Sequence, residues 1–292
     1  GGDGGPAINA TLAFPTSTVS DPSTGNVYIA DSGNNVVRQM APSGPSVGGV
    51  ASAGQFGALP AMAPGSWIEI YGGNLATSIR SWTGSDFTNG GLTAPTALDA
   101  NTVTIGGQAA YIDFISGGQI NAQVPSNVGT GQQPLIVTNA NGGKATFTVT
   151  VNAVEPGLYA PPSFVIGGKQ YAGALANDGV TFILPPDAIS GITSQRANPG
   201  DRITFYGVGF GPVTPSISAG QVVTSQNALP SFQMQIGGTP ATVQYAGLAP
   251  GAIGLYQINV FVPTSATAND LTPVTFTVNG TSGTQTLYIA VQ

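Results

Sequence analysis

The chain has 292 residues and no histidine or cysteine, so its twelve Asp and Glu side chains are its main source of general acids, bases and hard-cation ligands. Imidazole proton shuttles, thiolate nucleophiles and the usual zinc and copper ligands are thereby removed. Asp86, Asp99 and Asp113 fall in one predicted domain, and a pair of carboxylates flanking a glycosidic bond is what a glycosidase needs. Their spacing brings no two of them together, so the expectation is loop carboxylates and no catalysis. Asp3 in "GDGG" and Asp31, Asn34 and Asn35 in "DSGNN" offer oxygen ligands of the kind calcium prefers. The EF-hand spacing is absent, and Asp, Asn and Gly there read first as turn residues that satisfy local backbone donors. Trp67, Tyr71, Trp82 and Phe87 cluster in sequence and could form a platform for a sugar. In an alternating strand, however, Trp67 is expected to fill a sandwich core or an interface. "GVGFG" at 207–211 lacks the Lys-Ser/Thr and the helix of a phosphate loop, and no cofactor is implied.

Charge is sparse: six Lys and Arg against twelve Asp and Glu make 6% of the chain, where about 25% is usual. The six cations, Arg38, Arg80, Lys144, Lys169, Arg196 and Arg202, are scattered along the chain, so no patch can neutralise a run of phosphates, and nucleic acid is excluded as a partner. No apolar run approaches the roughly 20 residues of a membrane span. The first residue is Gly, which reads as a processed product or a fragment of a precursor with a leader. Low charge, abundant Thr, Asn and Gly, and absent Cys are similar to bacterial secreted and surface β-proteins.

The elements carrying these residues are short. Forty-three Gly and twenty-three Pro punctuate alternating runs such as 67–71, 146–151 and 274–278, and nowhere does a 3.6-residue period persist. The predicted fold class is all-β. Three blocks recur in order: "APGSWIEIYGGNL" from Ala63 as "NPGDRITFYGVGF" from Asn198, "VTIGGQAAYIDF" from Val103 as "MQIGGTPATVQY" from Met234, and the segment from Gly117 as that from Leu255. This duplication predicts two tandem Ig-like β-sandwiches, at 46–157 and 158–292, after a β segment or arm at 1–45. The glycine after Tyr71 and Tyr206 is expected to serve a bulge or a positive φ.

The pattern "APGS…I…GxNL…VTIGGxxA…QINxQVP…VTNxNG…PGLY" resembles the Ig-like carboxy-terminal domain of secreted bacterial proteins, related to IPT/TIG sandwiches. The second copy departs from it with Phe-Val-Pro and with an insertion, "AGLAPGAIG", before its Gln-Ile-Asn. The opening "GDGGPA" and "VYIADSGNNVVRQM" resemble an NHL propeller repeat, an inter-blade loop followed by strand, turn and strand. These resemblances imply no enzymatic role. A propeller needs about four to eight blades, so a single repeat must lean on something else. Residues 1–40 could be the tail of a longer propeller, pack on their own sandwiches, or complete the sheet of a neighbouring molecule through Val27, Tyr28 and Ile29. The leading expectation is a non-enzymatic extracellular or cell-surface structural protein that polymerises with copies of itself. The alternative is a monomeric adhesion module that binds a polysaccharide through Trp67, Trp82 or Phe87.

Overall fold

The computed structural model describes residues 1–5, 7–21, 26–40 and 44–292. Among these the chain is all-β, with short 3-10 turns and no α-helix. In the first sandwich one sheet runs in the order Ser46–Ser52, Trp67–Gly73, Gln119–Gln123, Tyr111–Ile115, Arg80–Ser81. The facing sheet runs Lys144–Val151, Gly131–Thr138, Asn101–Ile105, Ala97–Leu98. Alternation puts Ile68, Ile70, Ile112 and Ile120 of the first sheet against Val103, Ile105, Leu135 and Val137 of the second, all without solvent exposure. Each such aliphatic chain contributes about 1.5–3 kcal/mol by leaving water.

The second sandwich repeats this plan. Gly157–Leu158, Arg202–Val208, Tyr256–Phe261 and Thr242–Leu248 stand in the order of their counterparts in the first copy. Phe232–Ile236, Asn269–Val278 and Leu287–Val291 form the opposing sheet. The core is more aromatic, with Phe210 packed 5.3 Å from Tyr256 and 5.4 Å from Phe276 between ring centres. Even the irregularity is duplicated: the register shifts between Ile112 and Phe114 in one copy and between Val243 and Tyr245 in the other, so Asp113 and Gln244 are equivalent bulge residues.

The shared glycines have another role than the one expected from sequence. Gly72 and Gly207 are absent from the positive-φ residues and instead allow the neighbouring strand to come close. A Cβ on Gly72 would lie 1.9 Å from the Ser46 carbonyl oxygen, and one on Gly207 would lie 2.7 Å from that of Gly157. The register shift at Gly72 belongs to the partner strand, between Val47 and Gly49.

Pro15–Ser20, Val27–Asp31 and Val36–Met40 make a separate antiparallel sheet, whose strands, among the described residues, pair only with one another. Strand, 3-10 turn at Ser32–Asn34 and strand follow one another as "VYIADSGNNVVRQM" predicts. Val27, Tyr28 and Ile29 lie in the central strand, paired on both edges, so the edges open to a further strand are Pro15–Ser20 and Val36–Met40. Pro6 of the predicted loop lies outside the described residues.

Gly72→Ala is expected to destabilise the protein by about 1–3 kcal/mol in urea unfolding, because the Ser46–Ser52 strand must move away to admit the methyl group. Tyr71→Ala, one residue away and half exposed, should change stability far less.

Candidate functional site

The strand Trp67–Gly73 sorts its side chains by parity. Ile68 and Ile70 enter the core, and Trp67, Glu69 and Tyr71 take the opposite face. Of the two places expected for Trp67, a sandwich core or an interface, the structure shows the interface: Ile68 and Ile70 occupy the core, and the indole is directed outward against the second sandwich. Its Nε1 donates to the Ile253 carbonyl oxygen at 2.8 Å. Ile253 lies in "AGLAPGAIG", the insertion that distinguishes the second copy, so that departure from the repeat is one of the elements that reach across to the first sandwich, beside the loop at 219–222.

Trp67, Trp82 and Phe87 come together as the sequence clustering allowed. Trp67 and Trp82 meet edge-to-face with centres 5.6 Å apart, and Phe87 lies 5.0 Å from Trp82. They line a cleft of about 540 Å³ with Gln55, Phe56, Glu69, Asp113 and Asn121, closed on the other side by Val222 and residues 251–253 and 255 of the second sandwich. The bulge at Asp113 turns that residue toward Trp82, whose backbone N–H donates to the Asp113 carbonyl oxygen at 2.8 Å.

The ionisable groups of the cleft are both acids. Burial pushes the Asp113 carboxyl up to about 6; a hydrogen bond from Asn121 opposes the rise and the nearby Glu69 charge adds to it. Asp113 Oδ1 is buried with no hydrogen-bond partner. Glu69 accepts a hydrogen bond from the Tyr71 hydroxyl, which, with burial, pushes that phenol up to about 12. The duplicate has Thr204 and Gln244 at the places of Glu69 and Asp113, so the sandwich does not itself require these acids.

The other carboxylates considered from sequence are elsewhere. Arg80 binds Asp86 through two nitrogens, at 2.9 and 3.0 Å, and Asp99 at 2.8 Å. The guanidinium holds Asp86 far below the usual carboxylate range, and the Ser78 hydroxyl followed by Arg80 lowers Asp99. The clamp spans the segment that carries Trp82 and Phe87 and positions both rings. Asp86, Asp99 and Asp113 do not form one site; the acid that Asp113 approaches is Glu69, which spacing could not show. The within-chain alignment held a usable signal, since charge stands in one copy where the other is neutral.

Asp31 accepts from Arg38 at 2.6 Å, Asn34 at 2.8 Å and the Ala13 backbone at 2.6 Å, and Arg38 also pairs with Asp3. Arg38 is the main reason the Asp31 carboxyl falls to about 2. The side chain has no accessible surface, and burial opposes the fall without overcoming the hydrogen bonds from Arg38 and Asn34. The oxygens nominated for calcium thus face a guanidinium, and no metal-binding group of three or more acids occurs among the described residues. A second cavity of about 270 Å³, lined by Gln123, Ser126, Pro212, Ile217 and Tyr256 among others, has no charged side chain.

This geometry defines a pair of Ig-like β-sandwiches with an aromatic, acidic cleft where they meet. Residues 65–153 match the IPT/TIG domain family. Among curated proteins, none matches the chain. Similar solved structures include the Bacteroides ovatus mixed-linkage glucan utilization locus SGBP-B in complex with a mixed-linkage heptasaccharide, 12% identical with a TM-score of 0.37, over 91% of this chain and 52% of that one. The extracellular region of plexin A4 is 13% identical with a TM-score of 0.27, over 89% of this chain and 19% of that one. The I9–I11 tandem of titin is 9% identical with a TM-score of 0.22, over 98% and 86%. The chain spans about half the length of the first of these, and at these TM-scores none bears on function.

Asp113 titrates above its ordinary value of 3.8, so folding favours its acid form: its contribution is intact below about pH 4 and is lost as pH rises through about 6. Asp113→Asn should therefore gain on the wild type by on the order of 2 kcal/mol between pH 4 and pH 7 in urea unfolding. A constant difference across that range would show that Asp113 is well solvated. Arg80→Met should leave the core intact and increase the solvent quenching of Trp82 fluorescence, because the loop bearing it loses its ion-pair clamp.

Proposed function

We propose that this chain is a non-catalytic, extracellular or cell-surface carbohydrate-binding protein whose ligand occupies the cleft between the two sandwiches. The observation that carries the reading is the convergence of Trp67, Trp82 and Phe87 with Asn121, Gln55 and two carboxylates in one concave site. Aromatic faces accept the apolar faces of pyranose rings, and a few fixed polar groups orient the hydroxyls. Trp67 has committed its N–H to Ile253, so it acts as a wall and as the tie between sandwiches, while Trp82 and Phe87 present the contact surface. No helix among the described residues is long and apolar enough to cross a membrane.

Trp82→Ala should reduce affinity for a bound oligosaccharide at least about tenfold in calorimetry, measured well below the urea transition because Trp82 also packs on the first core and its loss lowers the midpoint. A panel of soluble neutral, amino and acidic polysaccharides that shows no retardation in affinity electrophoresis would overturn the reading.

Self-association through the amino-terminal sheet is the second reading. It is favoured by the exposure of large apolar residues within 1–40: among the described residues seven of thirteen lie there, with Val19, Val36, Val37 and Met40 in the sheet itself. Electron microscopy of the protein with and without residues 1–40 tests it: filaments lost on truncation support polymerisation, and discrete particles in both samples overturn it.

A further inference from the structure

The cleft is electrostatically incomplete. Its two ionisable side chains in addition to aromatic and neutral groups are Glu69 and Asp113, and neither Lys nor Arg lines it. Elsewhere Asp86 and Asp99 share Arg80, Asp31 and Asp3 share Arg38, and Asp270 holds Arg196, while Glu155, Asp178 and Asp201 accept hydrogen bonds from neutral donors. Asp113, which has a buried oxygen lacking any partner and the Glu69 charge nearby, is costly to keep charged in an apolar surrounding. The duplicate shows that the fold has a neutral solution, with Thr204 and Gln244 in the same places. In that copy the Thr204 hydroxyl simply donates to Asn259 at 3.0 Å. The charge of the first copy is thus left for something outside the chain to neutralise.

We propose that the ligand is a glycan with free amino groups, a glucosamine-type polymer, whose ammonium lies beside Glu69 and Asp113 while its pyranose ring rests on Trp82 and Phe87. This assignment rests on the carbohydrate reading above and adds the sign of the charge. An ammonium satisfies several acceptors at once through its three donors, and the indole faces of the cleft add cation–π attraction. A uronic or sulfated sugar brings a third negative charge into a site with no cation, and an N-acetylated or plain hydroxyl sugar leaves the acid pair uncompensated.

The test is calorimetry of the whole chain at about pH 6.5, where hexosamine amines are substantially protonated, with three oligomers of equal length: glucosamine, N-acetylglucosamine and cellobiose-type glucose. The glucosamine oligomer should bind at least about tenfold more tightly than the other two. Glu69→Gln/Asp113→Asn should erase that preference while retaining the weaker neutral binding. Glu69→Thr/Asp113→Gln, which installs the residues of the duplicate, should do the same and guards against a local folding defect. Because the protein carries a net charge of −6, Glu155→Gln/Asp187→Asn provides a control with the same change of charge far from the cleft, and it should keep the preference. Equal binding of all three oligomers, or loss of the preference in the control, overturns the amino-sugar assignment and leaves the carbohydrate reading standing. No binding by any oligomer overturns both. Tighter binding of oligolysine than of the glucosamine oligomer at the same ionic strength overturns the sugar and retains the cation.

Discussion

The alternation of the strand Trp67–Gly73 governs both halves of the functional argument. With Ile68 and Ile70 held in the core by register against Ala122 and Ile120, Trp67, Glu69 and Tyr71 have no choice but the outer face. A slip of one residue would place an indole, a carboxylate and a phenol in the sandwich and two isoleucines in the cleft, so core packing is what fixes the site. The same outer face then meets the second sandwich, and the Trp67 hydrogen bond to Ile253 joins the platform to its opposite wall.

Sparse charge gives each ionic contact a distinct task. Arg80 ties together Asp86 and Asp99 around the segment that displays Trp82 and Phe87, and Arg38 ties Asp31 and Asp3 across the small amino-terminal sheet. Pairs open to water add little to stability, and the value of these contacts lies in geometry: a short loop and a thin sheet without cores of their own each acquire a fixed shape. Against that background the acids of the cleft stand apart, because no cation of the chain lines the site with them.

Duplication supplies a control inside one chain. Strand order, the bulge in the fourth strand and the close-approach glycine are common to both copies and answer to the needs of the sandwich. Three differences answer to something else: Glu69 against Thr204, Asp113 against Gln244, and the insertion at 246–254 that one copy lacks. All three differences converge on the cleft.

The all-β class, the duplicated Ig-like unit and the turn positions were legible in the sequence because they depend on local rules: alternation with period two, Gly and Pro as punctuation, and blocks repeated in order. The clustering of Trp67, Trp82 and Phe87 was legible too, since they are near in sequence. The direction Trp67 faces was not, because alternation states which residues share a face and is silent about which face is the core; packing against the opposite sheet decides that. Nor could spacing foresee that Asp113 would stand by Glu69 and leave Asp86 and Asp99 to Arg80. Those pairings are made by strand register, by one extra residue in a bulge and by a loop from the other sandwich, contacts between segments far apart in the chain, which only the tertiary structure brings together.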